Sequence, residues 1–376
     1  MTDTITLIAT AKFGLENVVR EELAGLGYGR LRVFDGGVEL DAALADIPRL
    51  NLWLRSADRV LLKVAEFEAR TFDELFEQTK ALPWEEWIGV DGRFPIIAKS
   101  VQSLLRSARS CQSIVKKAVV ERLKAHYHTD WFPETGAEYV IQVSVRYDVV
   151  TLTLDTSGAG LHKRGYRAAA VEAPLKETFA AGLVLLSQWQ PGELLIDPMC
   201  GSGTILIEAA LLARNIAPGL QRDFAAEDWP IIPKTVWREA RETARAAQLP
   251  PTEGLIAGYD VMETAVLLSQ ANAQKAGVAD DITFAQKDVR DLWIDRQNGV
   301  LISNPPYGVR MDEFQAINQV YISLNKTFRK KWGWSVNILT ADEKFPDYFK
   351  RSRPDRARRF YNGRIPVHYY QYDAKP

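Results

Sequence analysis

Cysteine and histidine are scarce in this 376-residue chain, which has two of the first and four of the second. Cys111 and Cys200 cannot build a disulfide framework or a four-cysteine zinc site, and the histidines show no HExxH or comparable ligand spacing. Metal-free chemistry is expected. An excess of charge is lacking too: 47 basic residues face 48 acidic ones, a net charge of -1, which excludes a chain that coats nucleic acid or membrane over its whole surface. A polyanion would have to be met by a local patch. No uncharged apolar run approaches the ~20 residues of a membrane span, and the opening MTDTITLIATAKFG has no basic stretch ahead of a long apolar core. The expectation is a cytoplasmic protein with no membrane partner. What is present is ordinary: 47% hydrophobic and 25% charged residues suit two to three globular domains of ~150 residues each.

Residues 4–154 read as a small α+β region. Strands are predicted near Thr4 to Ala9, Leu31 to Phe34, Gly37 to Leu40, Val60 to Phe67, Phe94 to Lys99, Tyr139 to Val145 and Val149 to Leu154, with helices at Gly14 to Leu26, Phe72 to Lys80 and Cys111 to His126. Nothing there resembles a catalytic constellation, and Trp84, Trp87 and Trp131 are expected in the core. A glycine-rich linker with His162, Lys163, Arg164 and Arg167 spans 156–172. Beyond it, strands ending at Asp197, Tyr259, Ala285, Ser303 and Leu339 alternate with helices, the pattern of a doubly wound parallel sheet. A hairpin of Ala357 to Tyr361 and Ile365 to Tyr372 around Asn362-Gly363 closes the chain with one antiparallel strand.

Two segments carry chemistry. In LLIDPMCGSGTILIEAALLARN (194–215) an apolar strand ends in Asp197, and Gly201 and Gly203 let a ligand approach the backbone before Thr204 opens a helix. Leu206 stands where the dinucleotide fingerprint needs a third small residue, and no GK[ST] follows, so neither an NAD turn nor a P-loop fits. In LISNPPYGVR (301–310) the residues after an apolar strand offer the Asn304 side-chain oxygen and the Pro305 carbonyl as oriented acceptors; Pro306 stiffens the backbone and Tyr307 offers a ring face. Acceptors beside a stacking ring suit a planar base bearing an exocyclic amine.

Together, DPMCGSGT and SNPPYG resemble the class I S-adenosylmethionine-dependent methyltransferases that modify exocyclic amines. IDPMCGSGTILIEAA, LHKRGYR, APLKETFAAGL and ATAKFGLENVVREELAGLG resemble, more narrowly, the THUMP-domain guanine-N2 RNA methyltransferases acting on large-subunit ribosomal RNA or tRNA. The resemblance implies an α/β protein: a ferredoxin-like segment (1–55), a THUMP RNA-binding domain (56–155), the linker, and a Rossmann-like domain (173–376) with a seven-stranded sheet whose last strand is antiparallel. It implies S-adenosyl-L-methionine as cofactor, with Asp197, Pro198, Met199, Cys200, Gly201 and Gly203 at its methionine part, Asp260 at the ribose, Asp288 and Val289 at the adenine, and Thr178 within reach. Asn304, Pro305, Pro306 and Tyr307 would hold the target amine and base. Tyr307 would act through its ring, so Tyr307→Phe should be tolerated, and residues 170–376 alone should keep the cofactor while losing RNA. RNA, ribosomal in the first instance, is the expected partner. Seven basic residues against one acidic between Lys99 and Lys124 form a patch suited to phosphates, and Lys99, Arg106, Arg109, Lys116, Lys117, Arg164 and Arg167 are the residues expected at RNA. An adenine-N6 enzyme and a non-catalytic RNA-binding assembly factor are the alternatives.

Overall fold

The computed structural model describes residues 4–167, 175–251, 254–307 and 311–375, with the backbone alone for 311–316. Part of the expected linker (168–172), the first two residues after it (173–174) and the end of the second segment (308–310) fall outside the described residues. The chain divides into two compact units. One holds the residues up to Ala11, Arg20–Leu161 and Asp223–Thr243; the other holds Lys12–Val19, His162–Arg222 and everything from Ala244 on.

The N-terminal elements are β1 (Ile5–Ala11), α1 (Glu16–Gly25), β2 (Leu31–Phe34), β3 (Gly37–Ala42), α2 (Asp46–Trp53), β4 (Ala57–Glu68), α3 (Phe72–Lys80), β5 (Ile96–Val101), α4 (Ala108–Tyr127), β6 (Ile141–Arg146) and β7 (Val149–Asp155). The strands form one sheet in the order β2-β3-β1-β4-β7-β6-β5, antiparallel throughout except that β5 and β6 run parallel. β6 shows why it is a strand: Ile141, Val143 and Val145 are buried while Ser144 and Arg146 are exposed, the two-residue alternation of a half-buried sheet. A capping box of Thr71 and Glu74 starts α3, and the Ser107 side chain caps α4. Trp84 is buried as expected, but Trp131 is 77% exposed.

The remaining elements are α5 (Glu177–Leu186), β8 (Leu195–Asp197), α6 (Thr204–Ala213), α7 (Lys234–Ala246), β9 (Ile256–Asp260), α8 (Glu263–Ala276), β10 (Ile282–Gln286), β11 (Gly299–Ser303), α9 (Met311–Phe328), β12 (Trp334–Thr340), α10 (Phe345–Tyr348), β13 (Arg356–Asn362) and β14 (Ile365–Tyr372). Their sheet runs β10-β9-β8-β11-β12-β14-β13. The first five strands are parallel, and β14 enters antiparallel between β12 and β13. The seven-stranded sheet with its antiparallel last strand is therefore as the sequence implies. One detail differs: Asn362 pairs with Ile365, so the two-residue turn is Gly363-Arg364, with Gly363 at φ 62, and Asn362 is the last strand residue.

The stretch 216–252, left without a role by the sequence, now has a place. Its residues 223–243 belong to the N-terminal unit, where Trp229 stacks on Tyr139 at 5.0 Å and donates its indole N–H to the Glu138 carbonyl.

Candidate active site

β8 and β11 are adjacent parallel strands, and the strand order departs from them in opposite directions, toward β9 on one side and β12 on the other. Connections leaving such neighbours diverge, and the crevice outside their carboxyl ends is where doubly wound sheets take ligands. A cavity of about 370 Å³ opens there, lined by Leu175, Asp197, Met199–Ser202, Thr204, Ile205, Met262, Thr264, Ala265, Leu268 and Asn304.

Asp197 ends β8 and is 2% exposed. Its Oδ1 accepts from Ser303 Oγ at 2.6 Å and from the Met199 N–H at 3.1 Å; among the described residues Oδ2 has no donor. Burial raises its pKa from 3.8 to about 7, with the Asp260 charge adding to the rise and the two hydrogen bonds opposing it. A carboxyl whose folded pKa is raised favours the folded state in acid, and that contribution is lost as pH climbs from about 4 to about 7. Asp197→Asn in the ligand-free chain should therefore raise the melting temperature at about pH 8 and lose that advantage toward about pH 5. An equal shift at both pH values would show that Asp197 is not titrating in this window.

After Asp197 the backbone turns through Gly201 (φ 52) and Gly203 (φ 76), and Gly203 precedes α6 with no side-chain cap. The two glycines differ in reason. A Cβ on Gly203 would lie 2.9 Å from Ser269 Cβ and 3.1 Å from the Phe284 ring, whereas beside Gly201, on the cavity wall, there is open space. Cys200 is held by its N–H to the Tyr259 carbonyl; burial, then the Asp197 and Asp260 charges, push its thiol up, so it packs rather than reacts.

Asp260 ends β9 and bridges to the turn, accepting from the Gly201 N–H on Oδ2 and the Met262 N–H on Oδ1, both at 3.0 Å. Each oxygen keeps a lone pair for a further donor. Asp288 starts a single helical turn and accepts from the Arg290 N–H at 2.8 Å and from its Nε at 2.9 Å; the Arg290 hydrogen bonds hold its pKa below the usual carboxylate value.

Some expected site residues are buried. Val289 is 6% exposed in the apolar core with Leu301 and Ile338, and Thr178 is buried in the first turn of α5 while Leu175 reaches the cavity. Their backbone phase turns the side chains inward. Arg164 is also a correction as an RNA contact: its side chain is 2% exposed and lies 3.4 Å from Glu208, which Tyr166 also meets at 3.0 Å. Arg167 is tied to Glu177 at 2.7 Å and to the Leu175 carbonyl at 2.6 Å. A carboxylate on α6 meets the first guanidinium and one on α5 meets the second, whose Nη1 has no hydrogen-bond partner among the described residues. By contrast Lys99, Arg106, Arg109 and Lys117 are exposed on the N-terminal unit, and Lys116 is partly engaged, 3.0 Å from Glu134 and 3.5 Å over the Phe94 ring.

In the loop after β11, Asn304 is half-buried on the cavity wall, Pro305 is buried, Pro306 is exposed and Tyr307 is half-buried. The Tyr307 hydroxyl donates to Asn304 Oδ1 at 2.8 Å and accepts from Asn362 Nδ2 at 3.2 Å. Burial pushes this phenol up to about 12, so it remains a donor at neutral pH. Asn362 escaped the sequence reading because Asn-Gly was taken as the turn. Placing the turn one residue later would have freed its side chain.

Residues 164–371 match the RMKL-like methyltransferase domain, 6–61 the RlmL ferredoxin-like domain and 69–155 the THUMP domain. The chain belongs to the RMKL-like methyltransferase family. Its similar relatives include YpsC of Bacillus subtilis (strain 168), named a candidate RNA methyltransferase, 46% identical over 98% of this chain and 96% of that one. Another is the ribosomal RNA large subunit methyltransferase K/L of Psychromonas ingrahamii (strain DSM 17664 / CCUG 51855 / 37), 34% identical over 98% of this chain. This family member spans about half the length of that K/L protein, 50%. Among solved structures, SMU.472, named as a candidate methyltransferase complexed with SAH, is 40% identical with a TM-score of 0.94, each chain covered completely (100%). A Listeria monocytogenes str. 4b F2365 structure described as a predicted N6-adenine-specific DNA methylase is 45% identical with a TM-score of 0.94, over 99% of this chain and 97% of that one.

Proposed function

We propose that this chain uses S-adenosyl-L-methionine to methylate the N2 amine of a guanine in structured RNA, with 23S ribosomal RNA as the substrate. The observation that carries the reading is the position of Asn304, which belongs at once to the wall of the Asp197–Gly201 cavity and to the SNPPY loop. The THUMP match and the K/L and YpsC names support RNA, and the SAH complex of SMU.472 supports the cofactor. The residues present fit that cofactor. Asp197 Oδ2 lacks a protein donor among the described residues and suits an ammonium, Asp260 has lone pairs left for two hydroxyls, and the open side of Gly201 admits a chain against the backbone.

S-adenosylmethionine, when bound, supplies a methyl group on a sulfonium. Everything else falls to the chain. Asn304 Oδ1 and the Pro305 carbonyl accept N–H hydrogen bonds from the target amine, concentrating electron density on its nitrogen and fixing its direction. The Tyr307 ring holds the extruded base by stacking. Guanine N2 is a weak nucleophile, so alignment supplies most of the rate.

The same acceptors would serve adenine N6, the reading that the description of the Listeria structure favours. Incubating the chain with radiolabelled S-adenosylmethionine and either protein-free ribosomal RNA, tRNA or DNA, then resolving the nucleosides, separates the cases. Label in N2-methylguanosine from 23S RNA is expected; label in N6-methyladenosine, or none, would reject the proposal. Asp260→Ala should weaken cofactor binding by roughly 1.5 to 3 kcal/mol, since charged hydrogen bonds to the ribose are lost. Calorimetric titration with S-adenosylhomocysteine measures it, and an unchanged affinity removes Asp260 from the site.

A further inference from the structure

The β13–β14 hairpin contains no residue to which the sequence assigned chemistry, yet one of its side chains reaches the amine acceptor. Phe360 anchors β13: it is 0% exposed and packs edge-on against Phe179 at 5.3 Å. Asn362 lies two residues further along the strand, so its side chain leaves the same face, and Tyr307 packs against the apolar cluster that contains Phe360. There the Asn362 amide N–H donates to the Tyr307 hydroxyl at 3.2 Å, and the hydroxyl donates to Asn304 Oδ1 at 2.8 Å.

This short chain of bonds has a direction. A hydroxyl has one hydrogen to give and two lone pairs. With an amide N–H donating into it, its own hydrogen is left to point at Asn304. A phenol keeps that hydrogen at neutral pH, and burial raises its pKa further. The bond fills one lone pair of Asn304 Oδ1 and fixes the plane of its amide, so that oxygen, not NH2, stays on this side and its second lone pair has one defined direction. An asparagine without such a partner can rotate, and turned over it would present a donor to an amine that is itself a donor.

We infer that Asn362 is a positioning residue for methyl transfer, orienting the Asn304 acceptor through the Tyr307 hydroxyl. The inference rests on the reading of Asn304 as the residue that binds the target amine. It gives the Tyr307 hydroxyl a function that stacking alone would not, and on it Tyr307→Phe is no longer silent.

The test uses the full chain, radiolabelled S-adenosylmethionine and an unmodified 23S ribosomal RNA transcript under single-turnover conditions, with S-adenosylhomocysteine binding followed by calorimetry. Asn362→Ala and Tyr307→Phe should each slow transfer by about 10- to 100-fold, the scale of losing alignment at a reacting centre, with cofactor affinity unchanged. The double variant should be no slower than the slower single one. Asn362→Asp decides between positioning and mere turn structure: it has the same size and suits a strand end as well, but its carboxylate accepts where the amide donated and would draw the phenol hydrogen away from Asn304. It should be at least as slow as Asn362→Ala. Wild-type transfer by Asn362→Asp or by Tyr307→Phe, or fully additive losses in the double variant, would overturn the inference. Asn304→Ala run in parallel keeps the two ideas apart: if it transfers normally the underlying site reading is wrong, and if it alone is slow the relay is wrong.

Discussion

Asn304→Ala is expected to bind S-adenosylhomocysteine with wild-type affinity and to transfer methyl groups ~100-fold more slowly or worse, the scale observed when one preorganised polar contact at a reacting centre is removed. Affinity should survive because the groups assigned to the cofactor do not lean on this side chain. Asp197 is held by Ser303 and Met199, and Asp260 by the N–H groups of Gly201 and Met262. Rate should fail because the substitution removes the side-chain acceptor for the amine and leaves the Tyr307 hydroxyl without the oxygen it donates to. Asn304→Asp tests the chemistry behind this. It keeps acceptor oxygens and should retain part of the rate, whereas a residue needed only for loop shape would tolerate Ala and Asp alike. Single-turnover transfer with saturating RNA and cofactor is the measurement. A wild-type rate for Asn304→Ala would end the assignment of this loop.

Residues 170–376 expressed alone are expected not to fold into a cofactor-binding domain, although the sequence suggested that they would. Three losses coincide. Leu15 and Val18 belong to the core of the C-terminal unit, at 0% and 5% exposure, and a Cβ on Gly182 would lie 2.6 Å from the Leu15 side chain, so α5 is shaped around it. Vacating such positions costs about 2 to 5 kcal/mol each. The cut also takes Arg164 and Tyr166 from Glu208, which is 1% exposed; breaking a buried ion pair typically costs ~3 to 5 kcal/mol because a charge stays behind. Finally, residues 223–243 lose the Tyr139 and Glu138 partners of Trp229. These losses are of the same size as the ~5 to 15 kcal/mol by which whole domains are stable. Circular dichroism and thermal melts with and without S-adenosylhomocysteine check this; a cooperative, ligand-shifted melt would refute it.

What the sequence made legible was local. Asp197, the glycine turn and SNPP sit in a strand-turn-helix grammar whose parts are contiguous, so their types and order sufficed to place them at the sheet edge. Asn362 was not legible because its role depends on a hairpin register shifted by one residue and on a tyrosine 55 positions away. The burial of Arg164 was illegible for a related reason: a cluster of basic residues declares charge, not burial, and Glu208 comes from a later helix. The burial of Val289 and Thr178 was equally illegible, because it depends on which side of a turn and of a helix faces the core. The 223–243 segment gave no signal because the aromatic partner of Trp229 is Tyr139, far earlier in the sequence and in another region of the chain.

The place of β14 between β12 and β13 also bears on the order of folding events. β13 precedes β14 in the chain, yet among the described residues it has no neighbour in the sheet except β14, so it cannot join the growing sheet by itself. It enters only through β14, by a local hairpin that can close before, during or after β14 docks on β12. Asn362 and Phe360 travel with β13. Asp197 and Asp260 end β8 and β9, on the far side of β12 from the hairpin, so on the relay reading competence to bind does not require the hairpin to be in place whereas competence to react does.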